Sequence, residues 1–117
     1  MILVDTSVWV DHLRRGNDDL GRFLVDEQVL CHPLVVGELA CGRLTDRAEI
    51  LARLQALPQA HSVEHQEALA FVEIHRLVGA GLGWVDVNLL ASATLSAASL
   101  WSFDRSLMRA ARRLGLS

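Results

Sequence analysis

The chain has 117 residues, an apolar fraction of 51% and a net charge of −3, which suits one folded domain and argues against tight, metal-independent binding to duplex nucleic acid. All 11 basic residues are arginine, so the chain lacks the lysine that a P-loop requires and that receiver domains and haloacid-dehalogenase-like phosphatases normally use. There is no apolar run of about 18 residues and no basic segment before the apolar start, so we expect a cytoplasmic domain over 1–117 without a membrane span or signal peptide.

The first part of the chain predicts two strands and four helices. In chain order these are a strand over 2–5, a helix over 7–15 capped by Thr6 or Ser7, a helix over 18–26, a strand over 28–31, a helix from Pro33 to near Gly42, and a helix over 46–56.

The second part predicts a short strand over 59–63, a helix over 64–78 capped by Ser62, a small-residue-rich helix over 84–98, a strand over 99–103 and a helix over 105–114. Strands that alternate with helices favour an α/β sandwich, with a mostly parallel central sheet flanked by helices. Sites in such sheets form at the carboxyl ends of the strands.

Four acidic residues stand in apolar or small-residue surroundings: Asp5, Glu38, Asp86 and Asp104. Asp5 and Asp104 end predicted strands, so they meet at one sheet edge if those strands are parallel neighbours. Glu38 has to reach that edge from a neighbouring helix, whereas Asp86 lies in a first helical turn, where the helix dipole favours an anion.

Gathered carboxylates repel one another, by roughly 4 kcal/mol for a pair about 4 Å apart at an effective dielectric of 20. A divalent cation with oxygen ligands reverses that penalty, and such a site is suited to cutting phosphodiesters. Setting these four acids aside leaves a net charge of +1, so charge does not exclude a nucleic-acid substrate.

Several neighbours of the acids fit the same chemistry. Thr6, Ser7 and Ser102 carry hydroxyls that can support a carboxylate, a water or a phosphate oxygen, although helix capping alone also explains the first two. Arg105, Arg109 and Arg112 lie on the last predicted helix, either as RNA contacts or as an ordinary solvated face.

The remaining special residues carry less information. The tryptophans Trp9, Trp84 and Trp101 are expected to fill the core or an interface. Cys31 and Cys41 lie in apolar segments and are expected to be buried, reduced thiols.

Four blocks together resemble one family. Ile-Leu-Val-Asp-Thr-Ser-Val-Trp-Val-Asp (2–11) is similar to the opening of PIN-domain ribonucleases of the VapC toxin type, and the later blocks 35–42, 83–93 and 100–107 follow in the family's order. The resemblance assigns Asp5, Glu38, Asp86 and Asp104 to the family's four acids. One mild departure is Ser102, where the family often has threonine.

The resemblance implies a single PIN-like three-layer sandwich, a Mg²⁺- or Mn²⁺-dependent endoribonuclease, a homodimer, and inhibition by a small cognate antitoxin. Asp5, Asp86 and Asp104 are the expected metal ligands. A catalytically silent PIN-like module that binds protein or RNA is the alternative, and a small metal-dependent DNA exonuclease or flap-type nuclease is a third.

Overall fold

A computed structural model describes residues 1–117 as three strands and seven helices. In chain order they are β1 (Ile2–Val4), α1 (Thr6–Arg15), α2 (Asp18–Val25), β2 (Val29–Leu30), α3 (Pro33–Ala40), α4 (Arg47–Ala56), α5 (His65–Ile74), α6 (Trp84–Leu95), β3 (Ser99–Trp101) and α7 (Arg105–Arg113).

The strands form one parallel sheet in the order β2-β1-β3. Ile2 of the central strand aligns with Val29 on one side and Ser99 on the other. Leu3 and Val4 are fully buried, as expected for a parallel strand covered on both faces. The predicted α/β sandwich is confirmed, and the sheet is parallel throughout.

One contiguous apolar cluster of 26 buried residues joins the sheet to the helices. Helix α6 contributes most to it, because Ala91, Ser92 and Ala93 are small enough for neighbouring elements to approach closely. Helix α5 and strand β3 both pack against α6. None of the seven helices combines the length and the apolar character that crossing a bilayer requires.

Several predicted bounds were wrong, for local reasons. The N-cap of α5 is Glu64 and not Ser62, and the backbone N–H of Glu64 donates to the Glu67 carboxylate at 3.2 Å. It ends at Ile74, before Arg76 takes a φ of 54°, and not at residue 78. The predicted strand over 59–63 is a single bridge between Gln59 and Cys31.

The two cysteines differ in environment. Both are free thiols, and Cys31 is buried as predicted, but Cys41 is exposed because α3 has already ended before it. The prediction of two buried thiols was therefore wrong for Cys41.

His32 is a buried polar residue that links two layers of the fold, with a side chain only 2% exposed. Its Nδ1 accepts a hydrogen bond from the backbone N–H of Leu34 at 3.0 Å, which leaves Nε2–H to donate to the Ser92 hydroxyl at 3.0 Å. Burial lowers the pKa of His32 below its ordinary value of 6.5. The neutral ring therefore caps α3 and ties it to α6.

This pairing predicts a pH-dependent stability. The pKa of His32 in the folded state lies below the unfolded value of 6.5. The contribution of the neutral ring to the free energy of unfolding is therefore complete above pH 6.5, and it is lost as the pH falls below 6.5. Urea unfolding from pH 7.5 to 5.5 should show a steeper loss of free energy in the wild type than in His32→Gln, by at most about 1.4 kcal/mol per pH unit. Exposed His61→Gln is the control and should keep the wild-type slope; equal slopes in all three proteins would refute the account.

Candidate active site

Asp5 follows the central strand directly and is the most enclosed of the four acids, at 6% exposure. It occupies the N-cap of α1, yet its carboxylate makes no capping bond. Its Oδ2 instead accepts hydrogen bonds from the Ser7 hydroxyl at 2.8 Å and the Ser102 hydroxyl at 2.6 Å. The predicted capping by Thr6 or Ser7 was wrong, since both hydroxyls bind site carboxylates.

The two serines connect Asp5 to the loop between β3 and α7. Ser102 Oγ accepts the backbone N–H of Asp104 at 2.9 Å, and Ser7 Oγ accepts that of Phe103 at 3.0 Å. Each serine hydroxyl has one hydrogen and donates it in a hydrogen bond to Asp5. Ser7 Oγ and Ser102 Oγ, which lie 3.2 Å apart, therefore have no hydrogen left to share with each other. This network fixes the loop against the end of β1.

Glu38 reaches the same region from α3, as expected for a mid-helix residue on a neighbouring element. Its Oε1 accepts a hydrogen bond from the Thr6 hydroxyl at 2.6 Å. Thr6 is the first residue of α1, next to Asp5, and so draws Glu38 towards the end of the central strand. The Glu38 side chain is exposed, and its other oxygen accepts no hydrogen bond from the protein.

Asp86 lies in the first turn of α6, as predicted, and its Oδ2 accepts the backbone N–H of Gly83 at 3.0 Å. Burial raises the pKa of Asp86, the Gly83 hydrogen bond opposes that rise, and the negative charges of Asp5, Asp104 and Glu38 add to it. The other three carboxylates therefore lie close enough to act on Asp86 electrostatically.

Asp104 is the N-cap of α7, and its Oδ1 accepts the backbone N–H of Leu107 at 2.9 Å. It is exposed, and it lies three residues beyond the last residue of β3 rather than at the strand end. The helix N-terminus supplies a favourable dipole to this carboxylate.

The four acids thus share one region without forming a ready ligand shell. Each holds one oxygen on a protein donor and leaves the other without a protein hydrogen bond. No three His, Cys, Asp or Glu side chains are close enough together to hold one ion. No ion site is preformed among Asp5, Asp86 and Asp104, which stay the predicted metal ligands.

The donor chemistry still fits a hard, well-hydrated cation. Mg²⁺ usually binds one or two carboxylates, keeps several waters and takes its remaining ligands from substrate phosphate. Four carboxylates with one free oxygen each suit that mode of binding better than an all-protein cage, and the pKa of one of them, Asp86, is raised by burial and by the charges of the other three.

Helix α7 places a row of arginines beside Asp104. Arg105, Arg109 and Arg112 are spaced four and three residues apart, so they share one helix face, and all three are exposed. None forms an ion pair, because the three ion pairs of the protein use Arg15, Arg22 and Arg53.

Sequence reasoning missed a cavity of about 500 Å³ beside Glu38. It lies between α1, α3 and the start of α4, and its walls include Leu13, Leu39 and Ile50 together with Arg14 and Arg43. The walls come from residues far apart in the chain, so no local pattern signals them.

Comparison with known proteins identifies the family. The family model described as PIN domain matches residues 2–113, nearly the whole chain. The chain belongs to the PIN-domain family.

Proteins of similar sequence indicate which type of PIN-domain protein this chain resembles. Ribonuclease VapC32, from the CDC 1551 / Oshkosh and ATCC 25618 / H37Rv strains of Mycobacterium tuberculosis, is 46% identical over 118 aligned residues. The alignment covers 100% of this PIN-domain chain and 95% of the relative. The resemblance to VapC-type PIN proteins is confirmed.

A solved structure supports the fold. The crystal structure of PAE2754 from Pyrobaculum aerophilum matches with a TM-score of 0.60 over 99% of this chain and 90% of that chain. At 18% sequence identity this likeness concerns the fold alone.

The electrostatics of Asp86 generate a stability prediction. A carboxyl with a raised folded-state pKa destabilises the fold when it is ionised, so Asp86→Asn should raise the melting temperature at pH 7 with EDTA present. The asparagine Oδ1 can still accept the Gly83 N–H. Glu73→Gln, which removes an exposed carboxylate with no side-chain hydrogen bond, is the control and should change the melting temperature less. A lower melting temperature for Asp86→Asn would contradict this reading.

Proposed function

We propose that this protein is a Mg²⁺- or Mn²⁺-dependent endoribonuclease that hydrolyses RNA phosphodiester bonds at Asp5, Glu38, Asp86 and Asp104. The observation that carries the proposal is the hydrogen-bond network that joins Asp5 to the backbone of Asp104 through Ser102, and Glu38 to Thr6 beside Asp5. The 46% identity to a protein named Ribonuclease VapC32 supports RNA as the substrate.

The protein's own residues would fix the orientation of the acids. Ser7 and Ser102 hold one oxygen of Asp5, Thr6 holds one of Glu38, and backbone N–H groups hold the others. The remaining oxygen of each acid is available to a cation, with Asp5, Asp86 and Asp104 as the preferred ligands. When bound, Mg²⁺ or Mn²⁺ would supply positive charge to the phosphate and activate water for attack.

The arginine row on α7 would hold RNA phosphates. Arg105 follows Asp104 directly, and Arg109 and Arg112 continue the same face. These cations lie outside any ion pair, so binding phosphate would not require breaking one.

The biological role follows from the VapC type. We propose a toxin that acts in the cytoplasm as a homodimer and that a cognate antitoxin protein neutralises by covering the acidic site. The cavity beside Glu38 offers an adjoining concave surface for such a partner.

A catalytically silent PIN-like module that binds protein or RNA is the second candidate. The observation that favours it is the absence of three side chains close enough to hold an ion. Cleavage of labelled structured RNAs with Mg²⁺ or Mn²⁺, stopped by EDTA, separates the two, because a silent module would bind RNA without cutting it under either condition.

The first prediction from the proposed function concerns Asp5. Asp5→Asn should reduce RNA cleavage by about 100-fold or more, since several kcal/mol of transition-state stabilisation would be lost. Its melting temperature should change little in EDTA, because the asparagine oxygen can accept both serine hydroxyls. The measurement is cleavage of labelled RNA under single-turnover conditions.

Asp26→Asn is the matched control, since Asp26 is an exposed aspartate that follows α2. It should cleave at the wild-type rate. Full RNA-cleaving activity of Asp5→Asn would contradict the assignment of this carboxylate to catalysis.

The second prediction concerns metal binding. Millimolar Mg²⁺ or Mn²⁺ should raise the melting temperature of the wild type, since a ligand at 100 times its Kd adds about 2.7 kcal/mol of stability. NaCl at matched ionic strength corrects for screening, and Asp5→Asn should show a smaller rise. No metal-specific shift in the wild type would count against the proposed site.

A further inference from the structure

Phe103 is a large apolar side chain that the fold leaves 52% exposed at the candidate site. It stands between Ser102, which binds Asp5, and Asp104, the fourth acid. Other large apolar side chains of the protein are exposed too, such as Val25 and Ile74, so the position of Phe103 beside the acids, and not its exposure alone, is the informative feature.

The ring of Phe103 packs against its aromatic neighbours. Phe103 and Trp101 make an edge-type aromatic contact, with centroids 6.0 Å apart and planes at 90°. Trp101 is braced in turn by Phe23, at 5.9 Å and 79°. The backbone N–H of Phe103 donates to Ser7 Oγ, so a single hydroxyl separates it from Asp5.

The surroundings favour one kind of occupant. On one side Phe103 continues into aromatic contacts with Trp101 and Phe23, and on the other its sequence neighbours Ser102, Asp104 and Arg105 are polar or charged. An aromatic ring beside cations is the combination that binds single-stranded nucleic acid, because bases stack on the ring while cations hold the phosphates. Arg105 and Arg109 are exposed and lie outside the ion pairs of the protein.

We propose that Phe103 is the platform on which an unpaired base of the RNA substrate stacks beside the carboxylates. This inference rests on the proposed ribonuclease function and deepens it, because it assigns a base-contacting side chain beside the acids. Stacking uses the face that every base has, so the platform favours purines only by their larger area and selects no particular sequence.

The test measures the base-dependent part of binding. Two fluorescent oligomers of about 12 units are compared, oligoadenylate and an abasic ribose-phosphate chain with the same phosphates and no bases. Each oligomer is titrated, in the presence of Mg²⁺, with Asp5→Asn protein, which should cleave RNA at least about 100-fold more slowly than the wild type. With Phe103 present, oligoadenylate should bind about 5- to 150-fold more tightly than the abasic chain, the range for stacking one base.

Adding Phe103→Ala should bring that ratio close to one while leaving affinity for the abasic chain unchanged. Phe103→Trp should keep the ratio, and Phe103→Leu, which keeps apolar bulk without an aromatic face, should lose most of it. The leucine variant replaces the alanine variant if thermal unfolding shows that alanine disrupts the fold.

Leu95→Ala is the matched control. Leu95 is 57% exposed and ends α6, nine residues or about 14 Å along the helix from Asp86. It should keep the wild-type ratio of the two affinities.

Two results would contradict the platform. One is equal affinity for oligoadenylate and the abasic chain with Phe103 present, and the other is an unchanged ratio of these affinities in Phe103→Ala. If the ratio is unchanged, sedimentation of the protein shows whether Phe103→Ala alters its oligomeric state. An altered oligomeric state with an unchanged ratio would assign the Phe103 ring to a protein interface. The proposed function is tested by a different measurement, and it fails if the wild type shows no metal-dependent cleavage of RNA.

Discussion

The repulsion among four carboxylates at one end of a parallel sheet is the constraint on which the rest of the structure depends. Two unit charges about 7 Å apart cost roughly 2 kcal/mol at an effective dielectric of 20. A hydrogen bond to a charged group returns about 1.5–3 kcal/mol. Each acid here has at least one such donor, and Asp5, the most buried, has two. The donors make the cluster tolerable, and the repulsion that remains favours a cation.

The hydroxyl donors at this site bind the carboxylates and do not cap a helix. Thr6, Ser7 and Ser102 are drawn from two different parts of the chain, and each orients a carboxylate. Ser7 and Ser102 additionally hold the backbone of the β3–α7 loop. The same bonds that fix Asp5 therefore fix Phe103 and the start of the arginine-bearing helix.

Sequence patterns were sufficient where a local rule governs the structure. The run Ile2-Leu3-Val4 predicts a buried strand, and an acid directly after it has to lie at the carboxyl end of the sheet. The chain's four family blocks also gave the correct fold class and family. Helix α6 was recognised, although its end was placed three residues too late.

Tertiary contacts decided what the patterns missed. Nothing near Glu38 in sequence indicates that Thr6 binds it, because the two are 32 residues apart. The sequence also did not predict the exposure of Phe103. The run Leu100-Trp101-Ser102-Phe103 predicts a continuous strand, whereas β3 ends at Trp101. Glu38 and Asp104 proved exposed, so apolar sequence neighbours alone do not establish burial.

The most direct measurement is an anomalous difference map from a crystal soaked in Mn²⁺. The account predicts a peak in direct contact with a carboxylate oxygen of Asp5 and near Asp86, with water completing the coordination. An absence of any peak there at millimolar Mn²⁺, with ions bound only elsewhere on the surface, would contradict it.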